Sequence, residues 1–537
     1  MMSKTKVNGI LLLYHDNLMP VASNMFEHIY SFQRYARFKV WLVNIYWGFP
    51  SALERFEFQG IILHYSLFGW FPFSLDHEFS NYVAESAASY KVAFFQDEYR
   101  FWAARAAVLN QHKVDCVYTC IEPAYYQDTY WKYTQVPRLE TYIPGYISDA
   151  MVEMAQRSNR PIEERTIDVG YRGRQPFDYM GRSAREKHEI GVQFRARAAA
   201  LGLTLDIETD EAKRIYGEAW LAFLGNCRAV LGVEAGVSIF DIDDVVVPAC
   251  ERLRQEEPDL SFDQVYERLL KPYDGVGVYY RTVSPRVFEA AAAGACQILY
   301  EGKYSGVVEP WVHYLPLQKD FSNFDEIIRL YRDEGMRREM VHNAERDLIA
   351  SGAYSYRRFI AHFDAGLVAA GLDPTIAEAT VQRVSDTLRE NERELWMQKL
   401  HAKQAEYDQL LHQHIALQVQ YMDQAKVLAQ QHAEYDQLLQ GHIALQVQYM
   451  DQDKVLMQRQ SREQAGLLAQ QPSDSVVMTS TEILASPHPA TPHAVLVLVK
   501  VYLAQRLAPY PWLYRCGRRV LQTVRTLKRQ YQRKSLG

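Results

Sequence analysis

Residues 284–294, Ser-Pro-Arg-Val-Phe-Glu-Ala-Ala-Ala-Ala-Gly, combine a cation, a carboxylate and two marked helix ends within eleven positions. Ser284 is suited to an N-cap, Pro285 to the first helical position, and Gly294 to the left-handed residue past the end. The alanines carry little bulk, so the helix can lie close to a sheet, and the apolar run Cys296–Tyr300 after it is a strand. A helix N-terminus offers free N–H groups and a positive dipole end, which suit a phosphate or diphosphate. Arg286 and Glu289 are three residues apart and share one face at that end. The plain alternative is a capped structural helix with a surface ion pair.

Other polar groups sit just past apolar runs. His15 and Asp16 end one, and Gln96, Asp97 and Glu98 end another. Carboxyl ends of strands are where doubly wound sheets bind ligands, so His15 and Asp97 are candidate bases. A strand-end Asp also serves as a turn or helix cap. Asp241-Ile242-Asp243-Asp244 contains an Asp-x-Asp, but it lies in an acidic, turn-rich stretch and reads as solvated loop charge, not as a metal site. The cysteines show no zinc spacing, and Cys116 and Cys120 read as buried thiols of a reducing compartment.

Glu-Ala-x-Ala-x-Gly at 289–294, leading into a buried strand, resembles the C-terminal signature of group 1 glycosyltransferases of the GT-B fold. The form Ser-Pro-Arg-Val-Phe-Glu is most similar to the CgeB-type, spore-maturation-like bacterial branch. The resemblance continues through His313–Leu317, Asp320–Asn323 and Tyr354-Ser355-Tyr356-Arg357-Arg358-Phe359, and upstream through Asp168–Arg174. It covers roughly residues 165–365 and implies two Rossmann-like domains facing a cleft.

The resemblance further implies a nucleotide-sugar donor, with no cofactor and no metal for departure of the diphosphate. An arginine and a lysine hold the diphosphate in the family; Arg172 and Lys187 resemble them, with Arg174 or Arg182 as substitutes. Glu289 resembles the carboxylate that accepts from the ribose diol, with Ser284 and Arg286 beside it on the donor side. Many relatives carry a second glutamate eight residues earlier, toward the donor sugar; this chain has Arg281 there. The acceptor implied is a bacterial surface glycan, a lipid-linked glycan or a protein. The alternative is a GT-B core that has lost catalysis and only binds a sugar or a partner at the membrane surface.

Elements able to position these residues follow from periodicity. In residues 7–150, apolar runs at Gly9–Tyr14, Lys39–Asn44, Gly60–Tyr65, Tyr90–Phe95, Val114–Thr119 and Leu139–Ile143 alternate with amphipathic segments such as Met25–Tyr35, Glu78–Ala88 and Tyr99–Leu109. The alternation resumes at Thr166–Tyr171, Thr204–Ile207, Ala229–Val233 and Gln297–Tyr300, interrupted by a partly helical insertion at Asp241–Gly275. Strands separated by helices of this length form βαβ units and parallel sheets. The expected organisation is an acceptor-side domain at 1–150 and a nucleotide-sugar domain at 151–371.

A helical arm is expected at 372–470, a Ser/Pro/Thr-rich linker at 471–493 and a basic tail at 494–537. Within the arm, 405–432 is repeated at 433–460 with a period of 28 residues, which is four heptads and preserves helical phase. Tyr407, Leu410, His414, Leu417 and Tyr421 recur as Tyr435, Leu438, His442, Leu445 and Tyr449, a seam for a coiled coil and a homo-oligomer. The chain of 537 residues has a formal charge of −6, yet ten Lys and Arg fall between Lys500 and Lys534 with no Asp or Glu after Glu482. Apolar and basic residues alternate there at helical spacing, the pattern of a helix lying on an anionic membrane surface. The first apolar run is too short for a signal peptide, and none reaches the ~20 residues of a spanning helix. A cytoplasmic protein, peripheral on the inner membrane face and without nucleic-acid partners, is expected.

Overall fold

The computed structural model describes residues 4–17 and 23–465. The linker at 471–493 and the basic tail at 494–537 lie outside the described residues. Among the described residues no helix is long and apolar enough to cross a membrane.

Six parallel strands form the first sheet: β1 (Thr5–Tyr14), β2 (Val40–Asn44), β3 (Phe56–Leu63), β4 (Tyr90–Phe94), β5 (Cys116–Thr119) and β6 (Arg138–Thr141), in the order β2-β1-β3-β4-β5-β6. β1–β5 are buried along most of their length, as parallel strands covered on both faces require, whereas the edge strand β6 is half-buried to exposed. The second sheet takes β7 (Ile167–Arg172), β8 (Leu205–Glu208), β9 (Cys227–Gly232), β12 (Cys296–Tyr300) and β13 (Leu315–Leu317), all parallel, in the order β13-β12-β9-β7-β8. A short antiparallel pair, β10 (Ala235–Val237) with β11 (Tyr280–Thr282), brackets the insertion. Each large sheet places its first strand between its second and third, so each has a topological switch point, at β1/β3 and at β7/β9. These are two Rossmann-like domains, as the alternation of elements predicts.

The insertion forms the helix Val246–Glu256 and a helical stretch from Phe262, and packs on the first domain, with Trp102 edge-on to Phe240 at 5.6 Å. Asp241 corrects the reading of solvated loop charge. It is 3% exposed and accepts from the N–H groups of Val245, Val246 and Val247, capping the next helix. Asp244 accepts from Ala104 N–H at 3.2 Å, at the start of the helix Trp102–His112 in the other domain. Cys116 and Cys120 are buried and unpaired.

After the second sheet the chain returns to the first. Tyr354 and Tyr356 pair with Ile147, and the helix Tyr356–Ala369 packs its Phe363 edge-on to Phe32 at 5.1 Å. The following helix, Glu378–Ala465, begins as part of that core. Val384 and Leu388 are buried, Trp41 donates to Ser385 at 3.0 Å, and Asn391 accepts from Ala52 N–H at 2.8 Å. Farther along, the seam residues Tyr407, Leu410, Tyr435 and Leu438 are exposed in the single chain.

Candidate functional site: a cation-lined cavity at the second switch point

A cavity of about 180 Å³ opens where β7 and β9 end and the helix Pro285–Ala292 begins. Its floor is Val230–Val233, Val287, Gln297 and Leu299, and its polar wall includes Arg174, Lys187, Arg214, Trp220, Ser284 and Arg286. This is the crevice between strands of opposite winding, where doubly wound sheets take ligands.

Local sequence explains the close fit. A Cβ at Gly173 would lie 2.5 Å from the carbonyl oxygen of Lys187, so only glycine lets the loop after β7 rest on the helix Arg182–Ala198. The Tyr171 hydroxyl donates to that same carbonyl at 2.6 Å and fixes the turn. At the other wall, Ser284 occupies the N-cap position and Pro285 the first turn, as expected, but the Ser284 hydroxyl makes no capping bond and lines the cavity. Gly294 ends the segment at φ +59°, and Arg165 clamps the carbonyls of Ala293 and Gly294, both at 2.9 Å.

Lys187 is half-buried, and burial pushes its ammonium down to about 8, opposed first by the charge of Asp97 and reinforced by Arg281, Arg174 and Arg286. It has no carboxylate within ion-pair distance among the described residues. Arg174 is exposed at the cavity mouth, with its guanidinium 5.9 Å from the Phe177 ring and no ion pair among the described residues. Arg286 donates to the Arg172 carbonyl and lies 5.2 Å over the Trp220 ring. Glu289 accepts from Trp220 Nε1 at 2.6 Å; burial raises its carboxyl, while that bond and the Arg286 charge lower it. The group is partly solvent-accessible yet set deep in the cleft, so burial outweighs both partners.

The sequence candidates therefore divide. Lys187, Arg174, Arg286 and Ser284 line one cavity, and Glu289 adjoins it through Trp220. Asp97 stands across the cleft, exposed at the carboxyl end of β4 and held at φ +53°, close enough to Lys187 to support its charge. Arg172 points elsewhere: it pairs with Asp206 at 2.8 Å and lies 4.3 Å over the Phe223 ring. Arg182, the other substitute, stacks 4.0 Å over Tyr266 and does not line the cavity. Arg281 is buried against Glu186 at 2.6 Å and Glu234 at 3.5 Å. His15 sits at the first sheet's switch point, its N–H bonded to Ser66 Oγ at 2.9 Å and its ring edge-on to Tyr46 at 5.9 Å. Burial lowers its imidazole, Asp16 opposing and Lys399 adding, so it is neutral at pH 7.

Three groups are not singled out by the sequence: Arg214, which lines the cavity and pairs with Glu211 at 2.7 Å, Trp220 and Glu27. Trp220 lies in the helix Glu218–Gly225, whose apolar composition reads as plain core. Glu27 lies on the helix Ser23–Tyr35 and faces the cleft. Burial raises its carboxyl, a hydrogen bond from Ser148 lowers it, and the charge of Glu289 raises it further. A carboxylate next to His28 and one turn before Ser31, both buried, is the signal that could have found it.

No protein-family model matches the chain, and no curated protein matches its sequence. Similar solved structures include TarM of S. aureus, with a TM-score of 0.32 and 11% identity over 56% of this chain and 53% of that one. An alpha-glucosyltransferase in complex with UDP-glucose and DNA containing an abasic site gives 0.38 and 10% over 68% of this chain and 100% of its own. Anabaena HepE in complex with UDP gives 0.38 and 10% over 67% and 100%. The chain spans about half the length of TarM.

Proposed function

We propose that this chain transfers a sugar from a nucleotide-sugar donor to a hydroxyl acceptor. One observation carries the reading: Lys187, Arg174 and Arg286 converge, without carboxylate partners among the described residues, on a switch-point cavity beside a helix N-terminus and Glu289. That arrangement suits a nucleoside diphosphate, with the carboxylate accepting from a ribose diol and the cations meeting the diphosphate. As the bond from the sugar's anomeric carbon to the diphosphate oxygen breaks, the electron pair stays on that oxygen, where Lys187 and its neighbours stabilise the growing charge. The acceptor oxygen forms the new bond and its proton leaves to a base on the first domain. Asp97, across the cleft from Lys187, is the base in this reading. A surface glycan, a lipid-linked glycan or a protein is the acceptor class, with the tail at 494–537 bringing the enzyme to an anionic membrane.

Calorimetric titration with UDP-, GDP-, CMP- and dTDP-sugars tests the donor site, and donor hydrolysis tests the chemistry. Micromolar binding of one class, lost on neutralising Lys187, supports the proposal; no binding by any of the four removes it. A second reading, a core that binds without transferring, is favoured by the burial of Arg281 at 5% exposure where a sugar-facing glutamate is usual in the family. It predicts donor binding with neither hydrolysis nor transfer.

A further inference from the structure

Trp220 is the aromatic residue bonded to the donor-site carboxylate, and its surroundings hold it still. Phe223 stacks on the indole at 5.5 Å with an interplanar angle of 25°, and the Arg286 guanidinium lies 5.2 Å from the ring. The Arg172 guanidinium lies 4.3 Å over Phe223 and is itself anchored by Asp206. A stack of Arg172, Phe223, Trp220 and Arg286 thus alternates cations with aromatic rings, each contact favourable. From this stack the Trp220 Nε1–H donates to Glu289 Oε2 at 2.6 Å.

We propose that Trp220 is a positioning residue of the nucleotide site, fixing the Glu289 carboxylate so that its remaining lone pairs face the ribose hydroxyls. The inference rests on the donor-site reading of Glu289 given above. An ionised carboxylate has about four acceptor positions, and the indole occupies one of them. The others remain for a vicinal diol, and the carboxylate plane is set before the ligand arrives, which reduces the ordering cost of binding. Ionisation depends on the same bond. Burial disfavours the charged form, and the Trp220 bond and the Arg286 charge oppose it. Arg172 acts on nucleotide binding through this stack and not by touching the diphosphate.

Trp220→Phe keeps the stacked ring and removes the N–H, so folding is preserved while the bond is lost. In the ligand-free chain, the difference in fluorescence between wild type and Trp220→Phe should titrate with a carboxyl group, and that titration should vanish in Glu289→Gln. With UDP as probe, the acidic limb of the affinity profile should move to higher pH in Trp220→Phe, because the bond that lowers the carboxyl is gone. Glu289→Gln should bind weakly with no such limb. Trp220→Phe with the wild-type pH profile and no carboxyl titration of the difference signal overturns the inference, even if Glu289→Gln binds UDP poorly. Glu289→Gln binding UDP as wild type does, while the difference signal still titrates, overturns the donor-site reading and leaves the contact itself intact.

Discussion

Lys187→Met should stabilise the protein and weaken nucleotide binding together. Lys187 is a half-buried ammonium with no carboxylate at ion-pair distance among the described residues, and burial brings it from 10.5 to about 8. For a base whose folded value lies below its unfolded one, the folded state carries the full cost of the charge below pH 8. That cost fades as the folded state releases the proton between pH 8 and 10.5, and it is absent above. The gap corresponds to about 3 kcal/mol at about 1.4 kcal/mol per pH unit. Methionine has similar length and no charge, so at pH 7 the variant should be more stable by up to that amount, with the melting midpoint several degrees higher.

The same quantity should return as ligand affinity. A diphosphate in the cavity restores a partner to the ammonium and pulls its titration back toward the ordinary range. Wild-type affinity for UDP should then be level from pH 7 to 8 and fall up to tenfold per unit above, whereas Lys187→Met should be weak and level throughout. Calorimetry with UDP between pH 7 and 10, beside thermal unfolding of both proteins, measures each arm. A Lys187→Met protein that is less stable at pH 7 and binds UDP normally would refute the reasoning, because it would make Lys187 a structural cation.

Glu289→Gln should leave folding nearly unchanged, since the amide oxygen can still accept from Trp220, but should weaken nucleotide binding by ~1.5–3 kcal/mol, read by calorimetry. Arg174→Ala should lose nucleotide affinity with little effect on stability, while Arg172→Ala should lose stability by about 1–3 kcal/mol through its Asp206 bond and Phe223 contact; equal behaviour of the two in urea denaturation would erase that distinction. A chain ending at Gly371 should be destabilised by loss of Val384 and Leu388 from the first domain's core, whereas one ending near Gln404 should fold and sediment as a monomer if the 405–460 seam drives association. Flotation with anionic vesicles at low salt, lost on ending the chain near Pro492, tests the basic tail; equal flotation of both chains refutes it.

Fold class was legible because alternation of apolar runs with amphipathic segments survives burial on both sheet faces. The strands seen in sequence match β1–β9 and β12 to within a few residues. The three-residue strands β10, β11 and β13 carry too little sequence to show a period, and their pairing depends on distant chain. Placement was legible where local geometry decides it: Gly294 past the helix end, Arg286 on the first turn, Lys187 on the helix after β7. It was not legible where direction decides. Arg172 ends β7 and Arg174 follows two residues later in the loop, and they point to different partners; nothing in their spacing says which one Asp206 takes. Asp241 likewise is buried because the insertion folds over the first domain, where its N–H donates to the Tyr99 carbonyl at 2.8 Å, a long-range event.

Arg281 is held by a buried ion network. Its guanidinium is buried between Glu186 and Glu234, and Glu186 also takes Lys319 at 2.8 Å. Glu234 in turn accepts from the N–H groups of Lys303 and Tyr304, at 3.1 and 2.9 Å. Glu186 immediately precedes Lys187 on the helix Arg182–Ala198, so the buried pair fixes the turn that aims Lys187 at the cavity. Removing one partner of such a pair leaves an uncompensated buried charge, at a cost of about 3–5 kcal/mol. Arg281→Met should therefore unfold earlier in urea. Arg281→Glu should be worse still, because it sets three carboxylates together. A glutamate at 281 that folds normally and improves donor hydrolysis would show that the position faces the sugar after all, and that the ion pair does not hold Lys187 in place.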